Sequence, residues 1–427
     1  MRFEQTIRFF SLSDVGMRRE KNEDSTAVRM VTEKPDWTHR GHLFVVADGM
    51  GGHAVGELAS RLAVEGVPRA FAESDERDAG GALTAAITQT NARVYRKGQS
   101  NPSFERMGTT CTALCLGPEG ATIGHVGDSR VYRVRGKQLN QLTFDHSLQW
   151  ELARRRGISV DVAEMYEPKN VIVRSLGPEP AVEVDIEGPF AVLNGDVYVV
   201  CSDGLNRHVN DTEIGVIAEF FPAPEAARML INLANHRGGG DNVTVIVARV
   251  GPSPPAAGPD PTPPDPTAPA PAWLIASGVA VGLSLVAGLV SFAFAPVTAV
   301  IMVGVASLFL SLIGFRLWQL WYRRTLERPL HAQGRTSAWR AYRSADVKLT
   351  EGFVKHLMEI ESDLDEAARI EEWPVPRAEY EKMSRSAKDS LTRKDLESAA
   401  RSFGAAIDVL MQAQYKSRRT QRAVAND

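Results

Sequence analysis

Cysteine is scarce: only Cys111, Cys115 and Cys201 occur in 427 residues. So small and odd a number excludes a disulfide framework and fits a reducing compartment. Cys111 and Cys115 fall in the apolar run GTTCTALCL with no second Cys/His pair, so they read as buried small hydrophobes rather than metal ligands. An excess of one charge is lacking too. The formal net charge is -3, which gives no argument for nucleic acid as a partner. That charge is spread unevenly: about -5 over residues 1–250, about -2 over the Pro-rich stretch that follows and about +4 from Arg316 onward. The first residues, MRFEQTIRFFSLSD, have no apolar core of the kind a signal peptide needs. The first domain is therefore expected to stay in the cytoplasm.

Residues 1–250 are long enough to bury a core of their own. Short β-branched runs such as HLFVVAD, ATIGHV, DVYVVCSD and NVTVIVARV recur between Gly, Asp and Asn, as strands do. Helical spacing covers His53 to about Glu73 and Ala82 to about Lys97. Several strands follow one another across tight turns, which predicts antiparallel sheets in an α/β domain. Residues 251–272 are a Pro-rich linker that forbids helix and ladder; in extended polyproline geometry it reaches about 60–70 Å.

From Trp273 to Phe315 no residue is ionisable. One membrane helix needs about 20 apolar residues, and Ala295-Pro296 divides this run near its middle. The spacing predicts two transmembrane helices within 273–320, at about 273–294 and 297–317, with Trp273, Trp318, Trp321 and Tyr322 at the bilayer interfaces. Membrane lipid is then an expected partner. The expected location is multi-pass in a bacterial cytoplasmic membrane, with catalytic domain and tail both in the cytoplasm. The tail, 321–427, shows two amphipathic patterns, Phe353 to Ala367 and Leu396 to Leu410, interrupted between Glu371 and Pro376. It is expected to be α-helical, packed on itself or open to a partner.

Four aspartates share one local design. Asp48 ends LFVVA, Asp128 ends IGHVG, Asp203 ends VYVVCS, and Asp241 follows three glycines and precedes NVTVIV. Singly, each reads as a turn former. Together with Asn22, Glu23 and Asp24 they suggest a carboxylate cluster, whose mutual repulsion calls for hard divalent cations, Mg²⁺ or Mn²⁺. Glycines 49, 51 and 52 would let the backbone approach such an ion.

The ordered series RREKNEDS, VVADGMGGH, GTTCTAL, HVGDSRVY, CSDGL and GGGDNVTVI resembles the protein phosphatase 2C family, the metal-dependent protein phosphatases, in its bacterial form. The resemblance runs from about Leu12 to Val250. It implies a four-layer α-β-β-α sandwich with two antiparallel sheets, followed in this chain by the expected transmembrane hairpin and helical tail. It further implies that Asp48 bridges two metals, that Glu23 and the Gly49 carbonyl complete one site, and that Asp203 and Asp241 complete the other. Asp24 then holds the attacking water, Arg19 grips the substrate phosphate with Arg18 as the neighbouring alternative, and Asp128 serves a third, weaker metal. Met50 stands where many eukaryotic members have a general-acid histidine; His53 is nearby in sequence but reads more readily as starting the helix or packing locally, and His146, in TFDHS, is similarly ambiguous. Residues of about 148–170 fall at the family's variable flap.

The expected function is hydrolysis of phosphoserine and phosphothreonine on cytoplasmic proteins, opposing a Ser/Thr kinase, with two Mn²⁺ or Mg²⁺ ions and room for a third. Two metals can stabilise both the attacking and the leaving oxygen, and an arginine adds bidentate phosphate recognition. The alternatives are a phosphoprotein-binding pseudophosphatase and a membrane signalling scaffold.

Overall fold

The computed structural model describes residues 7–52, 54–166, 171–251 and 341–426. The chain forms two compact units, one of Met1–Asp260 with Ala341–Asp427 and one of Pro261–Arg340; the second lies outside the described residues.

Among the described residues twelve strands build two antiparallel sheets. They are β1 (Ile7–Asp14), β2 (Asp24–Arg29), β3 (His42–Met50), β4 (Gly108–Thr109), β5 (Cys111–Gly117), β6 (Gly120–Val126), β7 (Arg130–Arg135), β8 (Gln138–Gln141), β9 (Asp185–Phe190), β10 (Val197–Cys201), β11 (Val243–Val250) and β12 (Ser344–Asp346). The first sheet runs β1-β11-β10-β7-β8-β12 and the second β2-β3-β5-β6-β9, with β4 beside β3. Nearly continuous Val, Ile and Ala runs in β3, β10 and β11 are buried along their length. That is the pattern of strands covered on both faces.

Helices cover both outer faces. In chain order they are α1 (Lys34–His39), α2 (Ala54–Glu73), α3 (Ala79–Gln99), α4 (Leu148–Arg156), α5 (Val160–Tyr166), α6 (Asp203–Asn206), α7 (Asp211–Phe220), α8 (Ala223–His236), α9 (Glu351–Ile370), α10 (Arg377–Thr392) and α11 (Leu396–Asn426). Helices α2 and α3 pack on the second sheet, α7 and α8 on the first. Asn210 and Glu213 close a capping box at the start of α7, which satisfies end groups that the helix itself leaves open. The three cysteines are free and buried, and burial pushes each thiol up to about 12.

The tail is folded into this unit. Strand β12 extends the first sheet, with Ala345 opposite Leu139. Leu357, Ile360, Phe403, Ile407 and Leu410 share one buried cluster with Phe221, Leu230 and Val247. Polar contacts seal the α8–α11 seam: Arg228 pairs with Asp408 at 3.1 Å, and Arg401 Nε donates to the Phe220 carbonyl at 2.9 Å. A fifth layer of three helices thus covers the α7–α8 face. The two-helix reading of the tail is corrected to three helices among its described residues. Helix α10 escaped notice because the residues it buries include the small and polar Ser384, Ala387 and Ser390, which leave a weak apolar stripe.

The expected membrane architecture is also corrected. Among the described residues no helix is long and apolar enough to cross a membrane. The expected spans at 273–294 and 297–317 lie outside the described residues. The fold is therefore a sandwich with a helical tail docked on it, and neither the transmembrane hairpin nor the multi-pass location is retained. The described tail helices alternate apolar with charged positions, and their apolar faces are already covered by the core of the first sheet.

Candidate functional site

The acidic residues converge because each sits at a strand end on the same edge of the two sheets. Asp24 opens β2 and lies directly opposite Asp48 of β3 in the ladder. Asp128 stands between β6 and β7, Asp203 follows β10 at the first position of α6, and Asp241 precedes β11. Strands β7, β10 and β11 are neighbours in one sheet, as β2 and β3 are in the other.

Hydrogen bonds with residues far away in sequence hold Asp48, Asp24 and Glu23 in place. The Asp48 amide donates to Thr110 Oγ1 at 2.8 Å, and its carbonyl accepts from Thr109 Oγ1 at 2.9 Å. Ser202 Oγ donates to Asp24 Oδ2 at 2.8 Å. Asn242 Oδ1 accepts from the Glu23 amide at 2.8 Å, while its Nδ2 donates to the carbonyls of Val15 and Lys21 at 2.9 and 3.0 Å. A Cβ at Gly56 would lie 2.1 Å from Glu23 Oε2, and one at Gly49 would lie 2.2 Å from the Gly56 carbonyl oxygen. Glycine at both places lets α2 seat against the Glu23 carboxylate.

The cluster is electrostatically unbalanced. Burial first, then the charges of Asp24, Asp203, Asp128 and Asp241, holds the Asp48 carboxyl well above the usual range. Burial likewise raises Asp128, with Asp203 and Asp145 adding to it, and it raises Asp203 against the pull of Arg207. The Asp24 carboxyl is pushed up to about 7 by burial, opposed by hydrogen bonds from Thr244 and Ser202. Asp24 Oδ1, Asp128 Oδ1 and Asp203 Oδ1 are buried without a hydrogen-bond partner. Buried carboxylates in this condition are costly unless something neutralises them.

Two arginines supply part of the counter-charge. Arg207 bonds to Asp203 and lies 3.3 Å from Asp241; Arg19 lies 2.8 Å from Asp241 Oδ1. Among the described residues no group of three or more acidic, histidine or cysteine side chains is placed to hold a metal ion as it stands. The donor set nevertheless fits hard divalent cations. It is all oxygen, it holds three buried oxygens without partners, and its glycines open a cradle that a Cβ would fill.

Arg19, its side chain 47% accessible, borders the cluster through Asp241, while Arg18 Nη2 lies 4.0 Å from where a Cβ on Gly238 would sit. His146 does not join it. That ring is fully buried, accepting from the Gly127 amide at 3.0 Å and facing Asp185 at 3.1 Å. It pins the turn before Asp128 rather than offering a proton at the site. His53 lies outside the described residues. Sequence reasoning missed Arg207, Ser202 and Asn242. The signals available for them were their places beside the motif aspartates, in CSDGLNR and GGGDN.

These shifts carry a pH signature. A carboxyl raised to about 7 keeps a proton in the folded state that the unfolded chain has released. Its stabilising contribution is complete below the ordinary value of 3.8 and is lost as pH rises through about 7. Lowering pH from about 8 to about 6.5 in chelator should therefore stabilise the protein by on the order of 1 kcal/mol, or about 2 °C. Below that window His125, depressed to about 3 by burial and by His146, acts in the opposite direction. A flat melting temperature between those pH values would contradict the electrostatic picture.

A family model described as protein phosphatase 2C matches residues 20–235, just over half of the chain. The serine/threonine protein phosphatase PstP of Mycobacterium tuberculosis is 35% identical over 249 residues, 57% of this chain and 45% of PstP. The chain thus spans less than half the length of that relative. The serine/threonine phosphatase Stp of Listeria welshimeri is 36% identical over 241 residues, 55% of this chain and 92% of that protein. Among solved structures, the S. agalactiae serine/threonine phosphatase is 33% identical with a TM-score of 0.51, covering 57% of this chain and 99% of that one. The family match ends at residue 235, so β12 and α9–α11 lie beyond it.

Proposed function

Because the chain belongs to the protein phosphatase 2C family, we propose that it is a metal-dependent protein serine/threonine phosphatase, acting on phosphoserine and phosphothreonine that a Ser/Thr kinase has installed. The observation that carries this reading is the carboxylate edge itself: acidic groups from both sheets, raised by burial and mutual repulsion, with buried oxygens lacking partners. The names of the relatives support the substrate class.

In this reading Glu23, Asp48 and the Gly49 carbonyl hold one Mn²⁺ or Mg²⁺, while Asp48, Asp203 and Asp241 hold a second. Asp128, whose carboxyl lies against that of Asp203, serves a third. When bound, such ions act as Lewis acids and lower the pKa of water. The protein's own groups do the rest. Asp24, anchored through Oδ2 by Ser202, keeps Oδ1 available to orient the attacking water and take its proton. Arg19 leaves Asp241 for the substrate phosphate, a bidentate acceptor of the same geometry. Arg207, the residue that follows α6, stays in place and continues to offset charge at Asp203 and Asp241.

The test is hydrolysis of a phosphothreonine peptide by the full chain. Turnover should require Mn²⁺ or Mg²⁺ and stop in excess chelator; full activity in chelator would overturn the reading. Arg19→Ala should raise KM about tenfold with kcat changed only a few-fold, because it removes phosphate contacts and leaves the carboxylates in place. An unchanged KM would move the phosphate grip to Arg18.

A further inference from the structure

The last helix of the tail reaches the loop that carries Arg19. Residues 15–23 join β1 to β2 with no strand or helix of their own. Asn242 fastens this loop at Val15, Lys21 and Glu23. The Gly239 carbonyl accepts from the amides of Met17 and Arg18 at 2.8 and 3.1 Å. Met17 and Gly239 fit closely: a Cβ on Gly239 would fall 2.5 Å from Met17 Cγ. From the other direction Arg418 of α11 closes on the same residue. Its Nη2 donates to the Met17 carbonyl, and its Nη1 lies 2.9 Å from Met17 Sδ. Met17 is therefore clasped between the glycine turn before Asp241 and the C-terminal helix.

A second anchor stands three residues earlier on α11, on the same helix face. Asn235 Nδ2 donates to the Tyr415 hydroxyl and to Asp14 Oδ1, each at 2.9 Å, and the Tyr415 hydroxyl donates in turn to Asn232 Oδ1 at 3.2 Å. Asp14 Oδ1 also accepts from the Gly16 amide at 2.8 Å. The tail thus touches the residue two before Arg19 directly, and it reaches Asp14, at the end of β1, through Asn235. Arg19 itself is held only lightly, by Asp241 at 2.8 Å and the Gly240 carbonyl at 3.4 Å. The path of its backbone decides where its guanidinium can reach.

We propose that Arg418 is a positioning residue for Arg19: by fixing Met17 it sets the loop so that Arg19 meets the substrate phosphate, making the C-terminal helix part of the substrate-binding apparatus. The inference rests on the phosphatase reading. It extends beyond it because α11 lies outside the family match.

The experiment uses the full chain with Mn²⁺ and a phosphothreonine peptide. Arg418→Met should raise KM about three- to tenfold with kcat within about twofold, and should add nothing in an Arg19→Ala background. Arg418→Lys, which can still donate to the Met17 carbonyl, should recover part of the loss. Amide exchange at Met17 and Arg18 should quicken in Arg418→Met while β10 and β11 keep their protection. A role confined to docking the helix would lower the melting temperature and leave KM alone. Parental KM in Arg418→Met, or a KM effect that adds fully to that of Arg19→Ala, overturns the proposal. A parent inactive on the peptide overturns the phosphatase reading instead. Unchanged exchange at Met17 and Arg18 then overturns the loop contact as well.

Discussion

Asp48→Asn should remove nearly all activity while making the metal-free protein harder to unfold. Asp48 stands at the centre of the cluster, where Asp24, Asp203, Asp128 and Asp241 all press on its carboxyl. In the proposed site it alone serves both core metals, so its loss removes their shared ligand. A fall in kcat/KM of about a thousandfold or more is expected, as for residues that act as a unit. The same substitution deletes one of several like charges with almost no change of shape. Without metal, relief of that repulsion should stabilise the fold by about 1 kcal/mol, a shift of a few degrees. Added Mn²⁺ should then raise the melting temperature of the parent far more than that of the variant, because ligand binding stabilises only a state that binds. Thermal unfolding at about pH 8, in chelator and in Mn²⁺, with peptide hydrolysis alongside, reads both effects. Retained activity above about a tenth of the parent's would remove Asp48 from the centre of the chemistry. A lower melting temperature in chelator would mean that the cluster is not under electrostatic strain.

Much of this site was legible in the sequence, for a physical reason. A strand that ends in Asp beside a turn puts a charge at a sheet edge, and the apolar run before it marks where that edge lies. Asp48 and Asp203 announce themselves in this way, and Asp241 does so in reverse, ahead of the apolar run of β11. The groups that hold them do not. Ser202 reaches Asp24 across 178 residues and Asn242 reaches Glu23 across 219, and periodicity says nothing about which chain ends meet. The tail shows the same limit. Its spacing marked an apolar face on α9 and on α11, but not what would cover that face. Pairing the helices with each other was a sufficient answer from pattern alone. The structure adds the sandwich as a third partner, through Phe221 and Leu230 of the α7–α8 layer. Strand β12, three residues long, is too short to declare itself. Motif order marked residues of about 148–170 as the expected flap, but it showed neither α4 and α5 nor the packing of Arg154 over Phe144, at 5.0 Å.

Phe403→Ala tests whether the tail belongs to the catalytic unit or merely rests on it. Phe403 is fully buried in the cluster that also holds Phe221, Leu230 and Val247. The neighbouring Gly404 is packed so closely on the sandwich that a Cβ there would fall 2.7 Å from Phe221 Cε1. Removing a large aromatic from such a place costs about 3–5 kcal/mol, against a total stability of about 5–15 kcal/mol for a folded domain. If the five layers unfold together, the loss should appear everywhere at once. The melting temperature of the whole unit drops, amides of β10 and β11 exchange faster, and activity disappears at the same temperature as tail helicity. If the tail were a separate module, the variant would melt α9–α11 first and leave β11 protected and the enzyme active. The seam argues for the cooperative outcome. It combines apolar burial with the Arg228–Asp408 pair and with Arg401 on the Phe220 carbonyl, so opening it strands charged and apolar groups in one step. A chain ending near residue 250 would expose that same α7–α8 face. It should therefore be less stable than the full chain even though every motif residue is present.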